Sequence, residues 1–147
     1  MSVGVDLNIA PSRAGLVVLL SLLISLSPAV ASELKPFATD GCSAFPNGIG
    51  ENTELWLDCC ISHDLAYWRG GTRVERSKAD LALKQCVAQT GNPTIARLML
   101  GGVRVGGTPY LPTKFRWGYG WPFLRGYKSL DESEQKKIES SLVESEQ

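Results

Sequence analysis

The stretch Trp56–Gly71, WLDCCISHDLAYWRGG, decides how the chain is read, because it sets two adjacent cysteines one turn ahead of a neighbouring histidine and aspartate. His63 is the only histidine in 147 residues. From about Thr53, Leu55, Cys59, Ala66 and Tyr67 recur at helical spacing, without proline, until Gly70 and Gly71 end the pattern. The spacing predicts one helix carrying all of these groups. It predicts a second from about Arg73 to Thr90, stopped by Gly91 with Pro93 two residues beyond.

So short a connection makes the two helices an antiparallel hairpin. In one register Cys59 lies level with Cys86, Ala66 with Ala79, and His63 close to Asp80. Cys59, His63 and Tyr67, spaced by four, then face the second helix. Cys60 and Asp64 are rotated from that stripe by about 100° and face another element. A bridge from Cys60 to Cys42 would make that element the loop DGCSAFPNGIG, residues 40–50, whose backbone carbonyls would then lie beside the Asp64 carboxylate. Four cysteines allow three pairings, and the spacing alone leaves them open.

Upstream, AGLVVLLSLLISLS at residues 14–27 follows Arg13 and precedes Pro28 and the small residues AVA. This reads as a signal peptide over residues 1–31, cleaved near Ala31, and as export to a secreted, periplasmic or lumenal destination. The run is shorter than the roughly 20 apolar residues needed to span a bilayer. An even cysteine count behind such a segment predicts two disulfides in an oxidising compartment. Arg13 and Asp6 are the only charges in the segment, so the fifteen basic and fifteen acidic residues become fourteen of each and the balance stays at zero. The charge is uneven along the chain. Residues 91–128 hold six basic residues, Arg97, Arg104, Lys114, Arg116, Arg125 and Lys128, and no acidic one, which favours an anionic partner on that face.

A neutral imidazole oriented by a carboxylate is a general base suited to pH 7, and His63 with Asp80 fits that pairing. A carboxylate among aimed carbonyls suits a hard cation, and oxygen ligands point to Ca2+ rather than zinc. Adjacent cysteines on a helix diverge, so a four-ligand zinc site is hard to assemble here. A bound cation would polarise a carbonyl while the base activates water, which describes metal-assisted ester hydrolysis.

CCISHDLAYW resembles the CCxxHDxxY signature of secreted phospholipase A2, ADLALKQC is similar to that family's segment with an aspartate six residues before a cysteine, and DGCSAFPNG is similar to its calcium-loop region. The resemblance covers residues 40 to about 88. It implies His63 as the base, Asp80 as its orienter, Tyr67 as the support of Asp80, and Asp64 as a calcium ligand joined by carbonyls around Gly41, Ser43 and Phe45. It also implies the bridges Cys42–Cys60 and Cys59–Cys86. The family's additional bridge would join the positions of Ala66 and Ala79, where both cysteines are missing together. The hairpin connection is shorter than in the animal enzymes, leaving no position for a second supporting tyrosine, and Ser43–Asn47 departs from the usual glycine-rich loop.

Past the core at residues 40–90, Pro93 to about Val105 forms a third candidate helix. Within the aromatic and basic segment 91–128, Tyr110, Phe115, Trp117, Tyr119, Trp121, Phe123 and Tyr127 alternate with cations in a structured loop without clear period. Such residues either complete a small core or meet a phospholipid membrane surface. Export argues against nucleic acid as the partner of this segment. Arg69, Arg73 and Arg76 with Glu75 read as a solvated face, and the charged tail 129–147 as a short surface helix or a frayed end. The expected protein is a mainly α, phospholipase A2-like monomer with one mature domain over residues 32–147. A non-catalytic lipid- or protein-binding module, and a helical scaffold in which His63 serves stability alone, are the alternatives.

Overall fold

The computed structural model describes residues 33–144, together with residues 1 and 4. The signal peptide expected over residues 1–31 lies outside the described residues. The described chain is a small, mainly α bundle stapled by two disulfides. Its order is α1 (Leu57–Arg69), α2 (Arg73–Gln89), α3 (Pro93–Gly106) and α4 (Glu132–Glu144). No strand forms among the described residues, apart from an isolated bridge between Ile49 and Asn52. None of these helices is long and apolar enough to cross a membrane.

The hairpin turn is built by three consecutive residues. Gly70 takes φ of +69° and Gly71 +131°, conformations that a side chain would strain. A Cβ at Gly70 would also stand 2.9 Å from the Gly118 Cα, so the turn doubles as a close contact with the distant aromatic segment. Thr72 then opens α2 with a reciprocal capping box to Glu75, which satisfies two of the donors left unpaired at a helix start. The first helix begins later than its apolar spacing predicts. The Trp56 N–H bonds the Asn47 carbonyl and its indole bonds the Pro46 carbonyl, so residues 53–56 close a loop instead of adding a turn.

Cys59–Cys86 ties α1 to α2, and Cys42–Cys60 ties the 40–50 loop to the other side of α1. Each closes a loop of a length worth about 3 kcal/mol in the chain-entropy picture. Where the absent third bridge would cross the hairpin, Ala66 and Ala79 line a small cavity of about 170 Å³.

Two apolar clusters hold the bundle. Trp56, Leu83, Val87, Ala96 and Met99 pack around the disulfides, joining α1, α2 and α3. Tyr67, Trp68, Trp117, Tyr119, Trp121 and Ile138 form the second, joining α1, the aromatic segment and α4. Trp117, Tyr119 and Trp121 thus resolve to core, whereas Tyr110 and Phe123 stay exposed. The tail forms α4 because Ile138 is buried in that cluster and Glu134 receives a two-pronged hydrogen bond from Arg125 at 2.7 and 2.9 Å.

Candidate active site

Helical phase and hairpin register bring His63 of α1 to Asp80 of α2. His63 Nε2 lies 3.2 Å from Asp80 Oδ1, with both residues buried. With the neutral ring donating from Nε2, the Nδ1 lone pair is the one left for chemistry. Tyr67, one turn after His63, donates its hydroxyl to the same Asp80 oxygen at 2.7 Å and lays its ring against the imidazole. Arg104 of α3 approaches Asp80 from the other oxygen, Nε to Oδ2, at 3.4 Å. The carboxylate therefore has a histidine and a tyrosine on one oxygen and a cation on the other. These contacts hold the carboxylate in place against the imidazole.

Sequence reading missed what lies behind Tyr67. Arg76 does not belong to a solvated face: it is buried, while Arg69 and Arg73 are exposed. Its Nε donates to the Tyr67 hydroxyl at 3.1 Å, one terminal nitrogen to the Tyr127 hydroxyl at 2.7 Å, and the other to the Val103 and Arg104 carbonyls at 2.9 Å each. The burial of Arg76 has a physical cause. Carbonyls in the last turn of α3 carry partial negative charge and can accept further donors, Val103 in addition to the Gly107 N–H, so a guanidinium can be buried there hydrogen-bonded. The available signal was the four-residue spacing of Arg76 and Asp80, which puts both on one helix face. Burial raises the Tyr67 pKa, and the hydrogen bond to Asp80 adds to the rise, so its hydroxyl stays protonated and able to donate.

Gly107 also shapes this corner. A Cβ there would stand 2.6 Å from the Tyr67 hydroxyl, so the end of α3 can approach the tyrosine only as bare backbone.

Asp64, adjacent to His63 but on another face, is buried and points toward the 40–50 loop. Thr39 donates to its Oδ2 at 2.7 Å and also accepts the Gly41 N–H at 3.0 Å, a link with no signal in the sequence beyond a hydroxyl next to the loop. Burial pushes the Asp64 carboxyl up to about 6, against the lowering effects of the Thr39 hydrogen bond and the nearby His63. The loop is shaped by Asn47, whose Oδ1 accepts the Cys42 N–H at 2.9 Å, and by left-handed backbone at Gly41 and Ser43.

His63, Asp64, Tyr67, Gly41, Ser43 and Phe45 line one cavity of about 310 Å³. Asp80 lies behind its wall. Leu83, Met99, Val103 and Phe115 complete the lining, so the polar groups sit at one end of a chiefly apolar space. Among the described residues no three His, Cys, Asp or Glu side chains gather in a way that could hold a metal ion. Any cation here would depend on Asp64 and backbone oxygens. Comparison with family models, with curated proteins and with solved structures returned no match. The geometry defines the class on its own terms: a disulfide-stapled helical bundle with a buried His–Asp pair.

Proposed function

We propose that this chain is an exported, calcium-dependent hydrolase of the secreted phospholipase A2 type, cleaving the sn-2 acyl ester of glycerophospholipids at a membrane surface. The observation that carries this reading is the convergence of the His63–Asp80–Tyr67 array and the Asp64 carboxylate on one apolar-walled cavity. His63 takes a proton from water at Nδ1, and Asp80 stabilises the imidazolium through Nε2 while Tyr67 holds Asp80 in register. The proton is then returned to the departing alcohol oxygen. Acyl chains lie against Leu83, Met99 and Phe115, which exclude bulk water from the ester.

The donors present suit a hard cation. Among the described residues one Asp64 oxygen has no protein donor, and no hydrogen bond reaches the carbonyls of Gly41, Ser43 or Phe45. When bound by these groups, Ca2+ supplies positive charge for the substrate phosphate and the oxyanion. Exposed Tyr110, Leu111, Phe123 and Leu124, with the exposed Lys114 between them in sequence, support contact with a phospholipid surface.

The test is fatty-acid release from mixed phospholipid vesicles, with calcium and with chelator, for the wild type and His63→Gln. Release that needs both calcium and His63 supports the reading, and release undiminished in chelator removes the metal role. The burial that favours a neutral Asp64 supports a second reading, a non-catalytic lipid- or protein-binding module. In that case the oxidised, folded protein retains lipid without cleaving it.

A further inference from the structure

Asp80 has two sides. Its Oδ1 faces His63 and Tyr67, and its Oδ2 faces a second cavity of about 260 Å³ lined by Arg73, Arg76, Ser77, Asp80 and Arg104. None of these residues lines the larger cavity, so the two spaces meet only through the Asp80 carboxylate and the groups around it. Three guanidinium groups and a hydroxyl surround one carboxylate, which is itself buried and already bonded. The chemistry of such a space is that of an anion receptor.

The donors are not all committed. Arg76 is spent on Tyr67, Tyr127 and two carbonyls and contributes charge from beneath. Arg104 is held only loosely, at 3.4 Å to Asp80 and 3.4 Å to the Ser77 hydroxyl, and its side chain is about half exposed at 48%. Those distances are too long for strong hydrogen bonds, so the guanidinium fork can turn to a better acceptor. Arg73 is exposed at the rim, and the first turn of α2 carries its only acid, Glu75, in the capping box with Thr72.

We propose that this cavity binds a phosphate-type dianion, as free phosphate or as a phosphomonoester headgroup, between Arg73, Arg104 and Ser77. A doubly charged tetrahedral anion can accept from two guanidinium forks and a hydroxyl at once, which chloride cannot. Occupation draws Arg104 toward the anion and away from Asp80, so the site reports directly on the carboxylate that orients His63. Binding does not depend on ester hydrolysis, and its failure would leave the proposed activity untouched.

The experiment is a calorimetric titration of the oxidised full-length protein with inorganic phosphate, in chelator and at ionic strength held constant with chloride. Saturable binding on the order of 1 mM or tighter is expected for the wild type. Arg73→Gln should bind at least about fivefold more weakly, Arg104→Gln more weakly still, and Arg97→Gln, an exposed arginine of α3 outside the cavity, should match the wild type. The Nε–H resonance of Arg104 should shift as phosphate is added. Absence of saturable binding, equal affinity of wild type and Arg73→Gln, or an equal loss in Arg97→Gln would each overturn the site. Dibutyryl phosphatidic acid below its micelle concentration then separates the sources: tighter binding than phosphate assigns a lipid headgroup, and equal binding assigns the free anion.

Discussion

The α1–α2 hairpin and the aromatic segment between α3 and α4 are both tied into the bundle, but by different means. The hairpin is regular helix, covalently stapled, and His63 and Tyr67 of α1 meet Asp80 of α2 across its interface. The segment has no regular structure over residues 108–131. Its backbone is instead pinned to other elements through indoles and tight turns. Trp117 donates to the Gly71 carbonyl and Trp121 to the Arg69 carbonyl, while Trp68 of α1 donates to Lys35. The carbonyls at the end of α1, left without intrahelical partners, are thus satisfied by the very segment that covers them. The difference teaches a division of labour: the hairpin carries the His63–Asp80 pair, and the segment supplies packing that keeps the hairpin covered.

That division can be broken by mutation. Trp121→Ala removes a fully buried indole and the donor to Arg69, and should cost about 3–5 kcal/mol by denaturant unfolding. Whatever fraction remains folded should keep its turnover, and a folded variant with no activity would blur the boundary between the two regions. His63→Gln should do the opposite, lowering ester cleavage by about 10²–10⁴-fold while shifting stability by less than about 1 kcal/mol. A large stability loss with unchanged lipid retention would instead point to the scaffold role.

Arg76→Gln tests a charged group shared by both regions, since it joins Tyr67 in the hairpin to Tyr127 in the segment. Loss of its charge-assisted bonds should cost about 1.5–3 kcal/mol and also reduce turnover, because Tyr67 loses its anchor. Arg76→Lys should recover stability only in part, as an ammonium cannot reach four acceptors in a fork.

Asp64→Asn has a small effect on stability, and with the opposite sign. The folded carboxyl is raised from 3.8 to about 6, so its contribution is fully present below about pH 3.8 and is lost as pH rises through about 6. In chelator the Asn variant should therefore be more stable than wild type at pH 7, on the order of 1 kcal/mol once solvent screening is allowed for, and equal to it near pH 4. Calcium affinity of the wild type, measured by titration, should fall about tenfold per pH unit below pH 6, where a proton must be displaced. A wild type less stable than Asp64→Asn at pH 4 as well would assign the difference to packing and not to ionisation.

Much of the hairpin was legible before any coordinates. The four-residue spacing of Cys59, His63 and Tyr67, the glycine pair after Arg69 and the short connection set the partners of α1 and α2, because helix periodicity and an antiparallel turn leave few registers. The beginning of α1 was not legible, since the Trp56 N–H is taken by Asn47, a contact that apolar periodicity does not report. The fate of the aromatics was open for a related reason. Trp117, Tyr119 and Phe123 look alike in sequence, and only the packing of Gly70 on Gly118 and of Ile138 against the indoles buries the first two and leaves the third outside.

The sequence by itself determined α1 and α2, the hairpin they form and the meeting of His63 with Asp80, because these follow from local periodicity and a short connection. Only the tertiary structure decided that Arg76 is buried, that Thr39 holds Asp64 and that Arg104 stands on the far side of Asp80. Those contacts join residues 25 to 28 positions apart in two cases, and they form only where the packing of the helices and the 40–50 loop brings those groups together. That is a property of the folded packing and not of any segment's own pattern.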